Sequence, residues 1–351
     1  EGRFGKAVLV EEGTTNLVVD CSAFDTASWT RESFAGTITA NATTAPDGTQ
    51  TADQINMTSG CVYQTKTLTA GQTYTFSCWV KSATGADIPR GGIDIWGYNG
   101  ALGSRMRASD YRIITPSWQR LELSYTVAAD ETSFALTVAA SSRMTSPYNV
   151  YVWGAQCEAK PYATSFVDGT RAAEALRIPS SVMNDNNGTL EIWAKKSFVY
   201  ATYRKILDAE NPRIAFQWDS NGNLSAHFGG ANIAVSDPAQ DTAWHHYALT
   251  YSGRTVKMYY DGALLGTGTA TVDLVSFTDL FVGVRYAGMY QGNAAYSGLR
   301  LHRRALSDDE IAAHAATIAP DRQLHTRLSV GRTDGATWVD LTDCLARATI
   351  E

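Results

Sequence analysis

Segments in which apolar and polar residues alternate recur along the chain, and a period of two is the mark of a β-strand with one buried face. In Tyr74 to Lys81 (YTFSCWVK), Tyr74, Phe76, Cys78 and Val80 fall on one face and Thr75, Ser77, Trp79 and Lys81 on the other. The turn Ala70-Gly71-Gln72 links this segment to Val62 to Leu68, which also alternates, and the two together predict a hairpin. Leu17 to Val19 predicts a first strand ahead of them. Gly92 to Tyr98, Gln119 to Val127, Ser133 to Ala139 and Asn149 to Ala155 predict others, at the spacing of a sandwich of roughly eight strands.

From Glu158 to Thr170 (EAKPYATSFVDGT) the alternation lapses, and a second set of strands then begins. Gly188 to Lys195, Arg213 to Trp218, Leu224 to Phe228, Trp244 to Tyr251, Arg254 to Tyr260, Leu280 to Arg285 and Tyr296 to His302 belong to it. Asp261-Gly262 suits a two-residue hairpin turn, whose central positions need positive φ. The one convincing helix is Ser307 to Thr317. There Ser307 caps, Asp308, Asp309 and Glu310 fill the first turn, and Glu310 completes a capping box.

A chain of 351 residues with only 18% charged residues fits two all-β sandwich domains, each with its own core. Its net charge of −6 offers no electrostatic grip on a phosphate backbone, which excludes nucleic acid as a partner. No apolar stretch is long enough to insert in a membrane. Glu1 to Lys6 is charged and glycine-rich, unlike a signal sequence, so export by another route or a longer parent chain is expected. Cys21, Cys61, Cys78, Cys157 and Cys344 are scattered and odd in number, and read as reduced thiols. A Cys21–Cys157 bond is the one pairing considered.

Four phrases, NLVVDCSAFDTASWT (16–30), TTAPDGTQTADQI (43–55), LTAGQTYTFSCWVKS (68–82) and VWGAQCEAKPYATSFV (152–167), carry a first resemblance. Residues 14–167 resemble the carbohydrate-binding-module-like jelly rolls of bacteriophage and prophage tail and fibre proteins. A second lies in TLEIWAK (189–195), WHHYALTY (244–251), KMYYDGALLGTG (257–268) and YSGLRLHRRALSDDEIAAH (296–314), and residues 168–319 resemble a laminin-G or concanavalin A-like sandwich. GRFGKAVLV (2–10) is similar to the opening strand of such a sandwich. Residues 1–13 therefore either belong to the second sandwich, with the first inserted into it, or merely precede the first. Residues 320–351 are too short for a core of their own and must dock on another domain or subunit.

These resemblances imply a non-enzymatic structural or adhesion protein on the exterior of a phage virion, in a tail, fibre or baseplate. Its partners would be other virion subunits, further copies of itself and a host cell-surface glycan. A secreted, extracellular bacterial carbohydrate-binding protein is the alternative, and a glycan hydrolase a weaker third reading.

Glucanases of the concanavalin A-like fold use two carboxylates on one strand face. Here Ile192, Trp193, Ala194 and Lys195 follow Glu191, so no second acid shares its face and no catalytic residue is assigned. His245 and His246, adjacent on a strand, point to opposite faces and do not share a metal, and the other histidines show no ligand spacing. No cofactor is required. Calcium is the ion that loops of such sandwiches could hold, with Asp20 and Asp25 as candidates in the first domain and Asp208 and Asn293 in the second. Asp185-Asn186-Asn187 reads first as a turn.

Sugar binding needs exposed rings beside amides or carboxylates. Trp96, Tyr98 and Asn99, with Arg105 and Tyr111 nearby, form one candidate patch, and Tyr286, Tyr290, Gln291 and Asn293 another. Trp79, Trp153, Trp193, Trp218 and Trp244 are assigned to the core.

Overall fold

The strands gather in two compact units, one made of Thr14–Arg171 and the other of Glu1–Gly13 together with Ala172–Glu351. The first is thus an inserted unit and the second its host. The computed structural model describes residues 7–99, 103–131, 133–140, 142, 144–179, 186–199, 202–209, 214–238, 240–272, 279–285, 289–316, 329–332 and 339–340.

The host unit opens with β1 (Val8–Val10). The inserted unit holds β2 (Thr14–Thr15), β3 (Thr30–Thr43), β4 (Ala52–Thr67), β5 (Thr73–Ser82), β6 (Ile88–Asn99), β7 (Gly103–Ile114), β8 (Gln119–Thr126), β9 (Ser133–Ala140), β10 (Tyr148–Glu158) and β11 (Thr170–Arg171). The host resumes with β12 (Glu174–Pro179), β13 (Asn187–Lys196), β14 (Arg204–Ala209), β15 (Ile214–Trp218), β16 (Asn223–Phe228) and β17 (Ala231–Ser236). It continues with β18 (Trp244–Ser252), β19 (Thr255–Tyr260), β20 (Ala263–Thr269), β21 (Asp279–Val282), β22 (Ala294–His302), helix α1 (Asp308–Ala316), β23 (Ser329–Arg332) and β24 (Val339–Asp340). Among the described residues no helix is long and apolar enough to cross a membrane.

In the inserted unit β4 serves two layers. Its Asp53–Met57 half pairs with β10, and its Cys61–Thr67 half pairs with β9. Gly60 lies between the halves at φ +87°, where an added Cβ would sit 2.5 Å from the Glu32 carbonyl and the Phe34 backbone, so the bend demands glycine. From β4 the order runs β10-β5-β8 in one direction and β9-β6-β7 in the other. Ile55, Phe76, Val80, Ile95, Leu136 and Val152 are all fully buried in this unit's core, each worth about 1.5–3 kcal/mol relative to exposure.

Leu17–Val19, expected as a strand, is not one. The Asn16 side chain takes over the bonding there, donating to the Ala155 and Val167 carbonyls and accepting from the Val18 and Cys157 amides. Buried Glu158 accepts bonds from Thr14 and Thr164, close to the two ends of the unit. Strands β3 and β7 had no sequence signal, because both lie at edges of the layers and neither alternates cleanly. Cys21, Cys61, Cys78 and Cys157 are free thiols, so the Cys21–Cys157 bond is not formed, and Cys344 lies outside the described residues.

In the host unit a six-stranded sheet, β1-β22-β13-β18-β19-β20, faces an eight-stranded one, β17-β16-β15-β14-β21-β12-β23-β24. Leu190, Ile192, Phe216, Trp218, Tyr247 and Leu249 belong to the core of this unit. β1 joins the six-stranded sheet through Val8 opposite Tyr296. Of the stretch expected to dock elsewhere, 329–332 pairs with β12 and 339–340 with β23.

The turn at Asp261 (φ 46°) and Gly262 (φ 82°) joins β19 to β20. The capping box of α1 is reciprocal: Glu310 accepts from the Ser307 amide at 2.8 Å, and Ser307 Oγ accepts from the Glu310 amide at 3.2 Å. Leu306 and Ile311 pack on Ala248 and Tyr259, which seats the helix on the outer face of the six-stranded sheet.

Candidate functional site

Alternation in β5 and β10 buries Val80 and Val152 and turns Trp79, Lys81 and Tyr151 outward, half-exposed. Register then sets two rows across this face. Gln54, Tyr151 and Lys81 are neighbours on β4, β10 and β5, while Trp153, Trp79 and Arg120 are neighbours on β10, β5 and β8.

Lys81 Nζ lies 4.7 Å from the centre of the Trp118 ring and 5.2 Å from that of Tyr151. Gln54 donates to Asn149 at 2.8 Å, Arg120 to Ser77 Oγ at 3.0 Å and Trp118 Nε1 to the Thr44 carbonyl at 3.2 Å. Trp153 is buried against Phe166, with ring centres 4.3 Å apart, and its Nε1 donates to Thr51. The face thus combines half-exposed rings with amides and cations held in fixed positions. Trp79, assigned to the core from sequence, stands on this outer face with Ser77 and Lys81.

On the inserted unit's other layer, Trp96 is half-buried on β6, opposite Met106 and Ala135. Tyr111 donates its hydroxyl to Asp94, which is fully buried, and stacks under Arg90 at 5.0 Å. Arg105 is exposed on β7. The side chains of Tyr98 and Asn99 lie outside the described set.

In the host unit Tyr286 also lies outside the described residues. Tyr290 is exposed, at φ 57°, edge-on to Tyr203 and beneath Arg285. Gln291 and Asn293 are buried, and Asn293 Oδ1 accepts the Glu12 amide at 2.8 Å, so these two amides face inward instead of joining Tyr290.

Of the calcium candidates, Asp20 accepts bonds from Thr26 and Ser28, and these hold its carboxyl below the usual range. Asp25 is exposed, and its carbonyl accepts from Arg31. Asp208 is buried and paired with Lys205 at 3.1 Å. Asp185 lies outside them, while Asn187 accepts from Ser252 at the start of β13.

The host unit holds a second arrangement that sequence reasoning missed. Along β13, Thr189, Glu191 and Trp193 share the face under α1. Thr189 Oγ1 donates to the Arg304 carbonyl and accepts the Leu306 amide, both at 2.9 Å, fixing the approach to the helix.

Glu191 is fully buried. Its carboxylate accepts from His302 Nε2 at 2.9 Å and from His314 Nδ1 at 2.9 and 3.1 Å, and His246 Nε2 lies 3.3 Å away. Burial alone would raise its pKa. The bonds from His246, His302 and His314 outweigh burial and hold the carboxyl well below the usual range. The Nδ1 atoms of His246 and His302 are buried without a hydrogen-bond partner. His246 points away from its neighbour His245, as alternation requires. It meets histidines from β22 and α1 instead, and only strand register reveals that meeting.

Comparison with the curated proteins gives no match. Solved structures similar to this chain include the carbohydrate-binding module and catalytic modules of Clostridium thermocellum endo-1,4-β-D-xylanase 10B, at 14% identity and TM-score 0.31, covering 46% of this chain and 30% of that one. A family 22 xylan-binding domain is similar at 15% identity and TM-score 0.34, over 43% and 98%. Domain 4 of a Geobacillus stearothermophilus arabinanase, in complex with arabinotriose, is similar at 19% and 0.34, over 42% and 73%. At these TM-scores the likeness transfers neither residues nor ligand. Residues 168–312, from the stretch before β12 into α1, match the family model of the concanavalin A-like lectin/glucanases superfamily, so the host unit carries a concanavalin A-like, laminin-G-like domain.

Proposed function

We propose that this chain is a non-enzymatic carbohydrate-binding protein whose inserted unit holds a glycan against the face made by Trp79, Trp118 and Tyr151. The observation that carries this reading is the pair of registered rows, in which half-exposed rings stand beside Gln54, Lys81 and Arg120. Rings of this kind stack on the apolar faces of pyranose rings, and the flanking amide and cations bond to hydroxyls or acidic groups. A secreted carbohydrate-binding protein needs nothing beyond these features. The virion reading, with its neighbouring subunits and host attachment, rests on the sequence phrases of residues 14–167.

The test is isothermal titration of the full chain with a panel of soluble polysaccharides that includes xylan and arabino-oligosaccharides. Trp79→Ala and Trp118→Ala are expected to weaken the binding at least tenfold, and Trp96→Ala to leave it unchanged. Loss in Trp96→Ala alone would move the site to the other layer. An absence of binding across the panel would refute the reading.

A further inference from the structure

We infer that Glu191, His302 and His314 form a binding site for a divalent transition-metal ion of the zinc class, on the outer face of the six-stranded sheet beneath α1. One ligand atom from each lies within 4.8 Å of the other two, and they come from three elements, β13, β22 and α1. The Glu191–His302 and Glu191–His314 separations of 2.9–3.1 Å are close to the edges, about 3.3–3.4 Å, of a tetrahedron with metal–ligand bonds of about 2.0–2.1 Å. These two edges would open by a few tenths of an ångström to seat the ion, and the third, between His302 and His314, lies within 4.8 Å.

Two imidazoles and one carboxylate suit zinc, cobalt or nickel; calcium and magnesium ask for a shell of oxygens. Charge points the same way, since a dication would offset the negative charge of the buried carboxylate, to which three imidazoles already turn. Glu191 and His302 are buried, while the His314 side chain is 29% exposed, which gives an ion a way in and leaves room for a water as fourth ligand.

His246 Nε2, 3.3 Å from the other Glu191 oxygen, would orient the carboxylate from behind. Coordination through Nε2 moves the His302 proton to Nδ1, which has no acceptor. The missing outer partner lowers affinity by about 10–100-fold relative to a fully supported site. Bound, the ion would pin α1 to the sheet.

The test uses the full chain without a histidine tag, stripped with a chelator and titrated with zinc ions against a chromogenic competitor. One equivalent is expected to bind and to survive excess calcium. His314→Ala, at the most exposed ligand, should keep the circular dichroism spectrum of the wild type and lose that equivalent. Cobalt loading of the wild type gives a readout independent of any variant: visible bands of a four-coordinate nitrogen and oxygen site are expected, without thiolate charge transfer. No binding by the wild type, an unchanged equivalent in His314→Ala, or a thiolate band would each overturn the proposal.

Discussion

Replacing Glu191 by glutamine keeps the shape of the side chain and removes its charge and one acceptor. In the wild type the carboxylate serves His302 and His314 at 2.9 Å, with His246 at 3.3 Å, and the His246 and His302 residues are 1% and 3% exposed. A glutamine oxygen can satisfy one or two of these donors, while its amide group turns N–H against another. A change of tautomer does not rescue the site, because Nδ1 of both rings has no partner to take the displaced proton.

An orphaned buried donor costs about 1–3 kcal/mol. The expected destabilisation is therefore about 1–3 kcal/mol. At about 2–4 °C per kcal/mol for a unit of this size, the melting midpoint should fall by roughly 2–12 °C. Differential scanning calorimetry with a chelator present reads the bonding network alone, and the fall should be confined to the host unit's transition.

The pH dependence follows from the lowered pKa. Stabilisation by Glu191 is fully present above the unfolded value near 4.5 and is lost as the pH falls through the lower folded value. The gap between wild type and variant should therefore hold at neutral pH and close only in strong acid. A midpoint shift under about 2 °C at neutral pH would refute this account of the carboxylate.

Gly262→Ala should destabilise the host unit by about 1–3 kcal/mol, since the residue sits at φ +82° and its Cβ would lie 2.9 Å from Ala312 Cα of the helix. Urea unfolding followed by circular dichroism measures it, and an unchanged midpoint would mean that turn and helix separate freely. His245 is bonded to Asp261 at 2.8 Å and Asp241 at 2.9 Å, and the bond to Asp261, against burial, raises its pKa. Its contribution is fully present below the ordinary imidazole value of 6.5 and fades as the pH rises through the folded value. The melting difference between wild type and His245→Gln should accordingly be larger near pH 6 than near pH 9, and an equal difference at both would remove the ion pair from the explanation.

The features legible in sequence were those written in local pattern. YTFSCWVK, TLEIWAK and WHHYALTY lie within β5, β13 and β18, and the capping box forms around Ser307 and Glu310 as read. Edge strands β3 and β7 escaped because exposed strands have no apolar face to alternate. The outward stance of Trp79 was available in principle, since alternation puts it with Thr75, Ser77 and Lys81. Aromatic size alone placed it in the core. Which ring on β10 stands beside it depends on register, and so does the gathering of His246 and His302 at Glu191. No spacing along the chain encodes either.

The two units treat the outer faces of their sheets in opposite ways, and the sequences of their strands explain why. In β13 the outward positions Thr189, Glu191 and Trp193 are buried although two of the three are polar, because each has a dedicated partner: the chain before α1, a ring of imidazoles, and His246. A face whose outward Thr189 and Glu191 are already bonded from within, and which α1 covers, is closed to a sugar. In β5 and β10 the outward positions Trp79, Lys81 and Tyr151 remain half-exposed, with their bonds and ring contacts running along the surface. Recognition of an external polar ligand needs this second condition. The search for a glycan therefore begins on the inserted unit, and the search for a structural ion on its host.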